Sequence, residues 1–375
     1  MTAKLNIVVA SSIAAVPNQG GWTWAVLQYL LGLRGLGHEV FYLDVIDPKL
    51  LEPHGDWSPS AVYFRQVMAE FGLRRHSALF LKGAEQPEFE LIARKSDLLI
   101  NLSAVLSDQE PIFRRFRKRL YVDLDPGFTQ LWQAVQNIDM HFANHTHHAT
   151  IGLSIGQPKC SVPTCNINWI TTPQPIVLDH WPLATEIKYD GLTTVANWRG
   201  YGSIEHNGIH YGQKAHALRP MIDLHPRTKE KFILALAIHE DETSDLESLK
   251  ANKWQLLDPE TVASSPQQFA DFVRASKAEF GLAKSGYVHA NCGWFSDRSL
   301  CYLASGRPVI AMETGFSDHL PVGEGLLSFS TTDGALAAID SLNANYEMHR
   351  NAARSIAENY FDSDKVLTTL LEKVA

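Results

Sequence analysis

Cysteine is scarce in this chain: Cys160, Cys165, Cys292 and Cys301 are the only four among 375 residues. So few thiols do not make a disulfide framework for a chain of this length, and a reducing compartment is expected. Long apolar runs are missing as well. No stretch approaches the ~20 uninterrupted apolar residues of a membrane helix. The opening Met1-Thr-Ala-Lys-Leu-Asn also lacks the charged-then-apolar layout of a secretory signal. A cytoplasmic protein is the expectation. There is no excess of positive charge either: the net charge is −8. That speaks against a nucleic-acid partner held by phosphate neutralisation. No short internal repeat is visible. What is present is 45% hydrophobic content over a length that fills two sizeable α/β domains.

The first half alternates between two periodicities. Strands are expected over residues 5–10, 39–43, 98–102, 120–123 and 141–144, and helices over 22–36, 58–71 and 128–136. Within 22–36, Val26, Tyr29, Leu30, Leu33 and Leu36 form one apolar stripe at helical spacing. Such alternation predicts a parallel sheet with right-handed crossovers. Then Pro158, Pro163, Pro173, Pro175 and Pro182 forbid helix and predict an extended connector, with a boundary near residue 185. The second half restarts with strands over 192–197, 231–238, 254–257 and 279–283 and helices over 213–224, 246–251 and 267–276.

Residues 294–316 are the most informative. They predict a helix over 294–305, a Gly306 stop, a buried strand over 308–312 and a polar loop with Glu313 and Gly315. A strand over 326–329 follows. Loops at the carboxyl ends of such strands are where open α/β sheets bind ligands.

The run Ala304-Ser-Gly-Arg-Pro-Val-Ile-Ala311 resembles the donor-site helix and strand of GT-B glycosyltransferases, especially the retaining, glycogen-synthase-like branch. Ile7-Val-Val-Ala10, Gly20-Gly21-Trp22 and Gly37-His-Glu-Val-Phe-Tyr-Leu-Asp44 resemble the opening of the acceptor domain in the same enzymes. The resemblance spans the chain. It implies two Rossmann-like domains facing across a cleft, over residues 1–185 and 186–360. It also implies a terminal helix over 361–375 that crosses back to the first domain.

The resemblance further implies a division of labour. Gly20 and Gly21 would lie near the donor phosphates or the acceptor, with the amides of the following helix start as an anion site; a turn needing positive φ is the plain alternative. Arg199 matches the basic residue that pairs with the donor diphosphate, and Lys214 and Lys284 are further candidates, each also readable as a solvated cation. Gly315 and Phe316 open the loop that wraps the diphosphate. The branch's two glutamates, eight positions apart, are missing: Gly293 and Cys301 stand in their places. Asp297, one turn before Cys301, is the substitute for ribose hydroxyls, and Arg298 falls near phosphate. On the acceptor side, Tyr121-Val-Asp-Leu-Asp-Pro-Gly127 puts Asp125 at a strand tip, where it would orient an acceptor hydroxyl or take its proton. Helix capping explains the same residue type. His141, His145, His147 and His148 lack the matching cysteine or carboxylate pair of a zinc site, so no metal is expected. His145 or His147 would instead hydrogen-bond a sugar or phosphate at the cleft mouth.

The expected function is metal-independent transfer of a sugar from a nucleotide-sugar donor to an acceptor that the sequence does not name, with no cofactor. The alternatives are a nucleotide-sugar 2-epimerase of the same architecture and a non-catalytic protein that binds a sugar nucleotide or a partner.

Overall fold

The computed structural model describes residues 4–47, 58–84 and 86–374. Two parallel sheets organise them. The first comprises β1 (Asn6–Ser11), β2 (Glu39–Ile46), β3 (Ser77–Leu81), β4 (Leu98–Leu102), β5 (Arg119–Asp123), β6 (His147–Thr150) and β7 (Ile170–Thr171), in the order β3-β2-β1-β4-β5-β6-β7. The second comprises β8 (Tyr189–Asn197), β11 (Phe232–Ala237), β12 (Gln255–Leu257), β13 (Ser276–Gly281), β14 (Val309–Met312) and β15 (Leu326–Phe329). Its order is β12-β11-β8-β13-β14-β15. Between β8 and β11 a hairpin of β9 (Ile204–His206) and β10 (Ile209–Tyr211) stands apart from both sheets. β4 and β14 are buried along their whole length, as expected of strands covered on both faces.

Several boundaries differ from the sequence reading, each for a physical reason. The strand expected over 141–144 does not form: His141 and Asn144 adopt positive φ. Asp108 holds that turn, its oxygens 3.1 Å from His141 Nδ1 and 2.7 Å from Asn144 Nδ2. The strand follows instead as β6. The helix expected from residue 294 starts at Asp297, where the Ser296 hydroxyl accepts from the Arg298 amide. It ends as foreseen, with the Arg307 amide returning to the Tyr302 carbonyl across Gly306. The helix over 213–224 is only Lys214–Leu218 followed by a tighter turn, because Pro220 has no amide to continue it. The β9–β10 hairpin went unforeseen although its turn, Asn207-Gly208, is a strong short-range signal. Both residues have positive φ, 50° and 76°, as a type I′ turn requires.

The two sheets share one apolar cluster, and each also packs a cluster of its own. Helix Ser363–Val374 lies against helix Gly20–Gly35: a Cβ added at Gly32 would come within 2.6 Å of Leu367. Ile176 of the connector pairs there too, its amide donating to Phe361 O at 2.8 Å. Leu27, Leu30 and Leu33 thus belong to the same apolar cluster as Leu303, Phe361, Leu370 and Val374. Among the described residues no helix is long and apolar enough to cross a membrane.

Candidate active site

The carboxyl ends of β8, β11 and β12 open into a cavity of about 680 Å³. Its floor is Val195, Ala196 and Asn197 closing β8, Leu236–Ile238 at the end of β11, and Leu256–Glu260 at and beyond the end of β12. The other wall comes from the first half of the chain, through Pro17, Asn18, Gln19, Gly21 and Trp22. That wall is set close by Gly20. Its amide donates to Ala263 O at 2.8 Å, and a Cβ there would sit 2.1 Å from Ser265 O. Only glycine permits this approach. Trp22 is fixed by its indole N–H, 3.1 Å from Ser12 O.

Three charged side chains complete the lining. Lys214 has no hydrogen bond or ion pair among the described residues. Burial and the neighbouring Lys284 and Arg298 charges push its pKa down to about 7. Arg298, whose side chain is 9% exposed, donates from Nε to Glu279 at 2.5 Å and from Nη1 to Val195 O at 2.8 Å. Its Nη2 is buried with no partner. Asp297, in the first turn of helix Asp297–Ala304, has its pKa raised by burial. Two helix starts, at Gly20 and Asp297, border the cavity, and each leaves amides without intrahelical acceptors. The result is a pocket whose unmet hydrogen-bonding capacity at this end is mostly for an anion.

The same interface is sealed on its other side. Asp125, just beyond β5, accepts from Lys284 Nζ at 3.0 and 3.1 Å, from the Tyr201 hydroxyl at 2.5 Å and from the Tyr287 hydroxyl. Lys284 Nζ lies over the rings of Tyr201, Tyr287 and Phe128, at 4.2, 4.9 and 5.1 Å. Burial and the Asp125 charge hold both tyrosines protonated, as donors. The Asp125 carboxylate is therefore neutralised on both oxygens and has no capacity left for a substrate proton. The loop ahead of it is fixed by Asp123, which takes the Asp125 amide, Gln130 Nε2 and Thr150 Oγ1. Tyr201 and the hairpin carry the second half onto helix Phe128–Ala134, so the segment 201–211 is an interdomain brace.

The structure thus brings together Gly21, Lys214, Asp297 and Arg298, with Gly20 directly behind them, and sends the other candidates elsewhere. Arg199 is ion-paired to Glu242 and is not part of the cavity wall. Gly315 and Phe316 are also outside it: the amides of Thr314 and Gly315 donate to Glu313 Oε1 at 3.1 and 2.7 Å, and Phe316 packs on Phe295. His145 precedes β6, at the amino end of the sheet rather than at the cleft. Its Nδ1 faces His141 O at 2.9 Å, so it donates there, and its Nε2 accepts from Asn101 Nδ2 at 3.1 Å. Burial holds its pKa down at about 4, leaving a neutral, fully bonded ring. His147 likewise starts β6 and contacts Thr146. Sequence reasoning missed the wall formed by Leu256–Glu260, whereas Pro17–Gln19 belong to the Gly20-Gly21 loop expected near the ligand. The Asp258-Pro259 helix cap, in which Asp258 Oδ1 accepts from the Glu260 amide at 2.9 Å, marked that wall.

No family model matches the chain, and no curated protein matches it by sequence. Solved structures do. An alpha-glucosyltransferase in complex with UDP and a 13-mer DNA containing a central A:G mismatch is 12% identical, with a TM-score of 0.64 and 100% of each chain covered. The alpha-glucosyltransferase in complex with UDP gives 11% identity and 0.62 over 99% of this chain and 100% of that one. Anabaena HepE in complex with UDP-glucose gives 12% and 0.60, with 99% of each chain covered. The chain has the GT-B fold. Its parallel sheets of seven and six strands are those of nucleotide-sugar glycosyltransferase structures. Identity this low speaks to architecture only.

Proposed function

We propose that the protein transfers a sugar from a nucleoside-diphosphate sugar bound in the 680 Å³ cavity. The observation that carries this reading is Lys214, a cation on the cavity wall with no hydrogen bond or ion pair among the described residues. Breaking the bond between the anomeric carbon and the donor phosphate leaves a diphosphate with added negative charge. The acceptor oxygen takes the anomeric carbon and releases its proton. Cationic groups and helix-start amides fixed beside the leaving phosphate stabilise that charge more in the transition state than in the ground state. Asp297 accepts from a hydroxyl of the bound donor, a role for which its burial beside Arg298 suits it. The neighbouring GT-B structures that hold UDP or UDP-glucose support the reading. Because side chains meet the phosphate charge, transfer proceeds without a metal and survives chelation by EDTA.

The test is donor turnover over a panel of nucleotide sugars, with release of nucleoside diphosphate as the readout. Hydrolysis or transfer with at least one donor, lost in Lys214→Met with native circular dichroism, is expected. Nucleotide-sugar binding without turnover, or no binding at all, would overturn it in favour of a purely binding protein.

A further inference from the structure

The two ends of the cavity differ in charge. Lys214 and Arg298, with Asp297 beside them, stand at the β8 end, next to β13. Asp258 and Glu260 stand at the end of β12, two strands away along the sheet, or about 10 Å. Between them lies an apolar floor of Leu236, Ile238, Leu256, Leu257 and Pro259. A nucleotide has the matching layout, with a diphosphate at one end and a flat base at the other. Lys214, without a hydrogen bond or ion pair among the described residues, fixes which end takes the phosphates. The base then lies on the apolar floor with its edge toward the two carboxylates.

Those carboxylates are not equivalent. Asp258 caps the turn of helix Pro259–Val262, its Oδ1 taking the Glu260 amide at 2.9 Å. Glu260 follows in the first turn, and its carboxylate has no partner among the described residues. A carboxylate only accepts hydrogen bonds. Guanine presents two adjacent donors, N1–H and the N2 amino group, which match the two oxygens in a paired, charge-assisted contact. Uracil presents one N–H between two carbonyl oxygens, and those oxygens would face Glu260 with like charge. Adenine and cytosine each offer one amino group beside an acceptor.

We infer that Glu260 selects a guanine base, so that the donor is a GDP-sugar. This rests on reading the cavity as a nucleotide-sugar site, and deepens it. The uridine nucleotides of the neighbouring structures make it a departure within the fold rather than a carry-over.

Calorimetric titration of the full chain with GDP, UDP, ADP and CDP tests it. GDP should bind at least about tenfold more tightly than UDP, the worth of one further charge-assisted bond. Glu260→Gln should remove most of that preference by weakening GDP while leaving UDP within about twofold. The site is exposed and the change isosteric, and a melting curve checks that the fold is intact. UDP binding as tightly as GDP would overturn the guanine assignment and leave the transferase reading standing. A GDP preference unchanged in Glu260→Gln would overturn the role of Glu260. Binding of none of the four would overturn both readings together.

Discussion

The interface between the two sheets has an open side and a sealed side, and both are rich in charge. On the sealed side Asp125 and Lys284, 23% and 15% exposed, answer each other within a ring of aromatic donors. On the open side Lys214 has no hydrogen bond or ion pair among the described residues, and the acidic charges that act on it are the more distant ones of Asp125 and Asp297. From sequence, Lys284 at a strand's carboxyl end and Lys214 at the start of the expected helix 213–224 are both candidate phosphate cations of the donor half. What separates them is whether the other half supplies an acid. A charge met by its own protein holds the structure together; one left unmet in a cavity is available to a ligand.

The comparison breaks most visibly at Lys214. Lys214→Met should lower kcat/KM for the cognate donor by about 10²-fold or more, by analogy with losing one preorganised charge-stabilising donor. A smaller loss than that of Lys284→Met, in variants of equal stability, would move the diphosphate to the sealed side. At that side the expected effect is on folding. Asp125→Ala leaves Lys284 without its partner in a mostly buried site and should lower unfolding free energy by roughly 3 kcal/mol, read from urea midpoints. Unchanged stability together with abolished transfer would restore Asp125 as a proton acceptor.

A third prediction follows from Lys214 titrating near 7. The folded value lies below the ordinary 10.5, so the unfolded chain binds more protons between about 7 and 10.5. This residue's contribution to stability therefore rises with pH across that window. Bound diphosphate favours the charged amine and reverses the shift. Nucleotide binding should then take up close to one proton at pH 8 and almost none at pH 6, as calorimetry in buffers of different ionisation enthalpy would show. Equal uptake at both values would mean that Lys214 does not meet the ligand. The smallest effect belongs to Arg199. Already paired with Glu242, Arg199→Ala should shift nucleotide affinity by less than about twofold, and a larger shift would return it to the site.

Much of this was legible in advance. Alternating periodicities set out both sheets, and Gly306 ended its helix where expected. Lys214, Asp297 and Arg298, which the sequence groups together on the donor side, all line one cavity. What could not be read was who meets whom. Asp125 and Lys284 are 159 residues apart, and no local pattern says that one neutralises the other. His145 was misplaced through one displaced strand: with the strand at 141–144 it exits at the cleft, whereas ahead of β6 it lies at the opposite end. Glu313 was noticed only as part of a polar loop, yet it takes the amides of Thr314 and Gly315. Asn207-Gly208 is a legible turn signal, but a hairpin outside both sheets serves neither α/β pattern.

Helix Ser363–Val374, which completes the core around Leu27, Leu30 and Leu33, sets an order of events during synthesis. The ribosome delivers helix Gly20–Gly35 more than three hundred residues before the segment that covers it. Until then the first half carries an uncovered apolar face, and it cannot finish folding as an independent unit in the way amino-terminal domains commonly do. A chain cut after the connector should therefore aggregate or recruit chaperones.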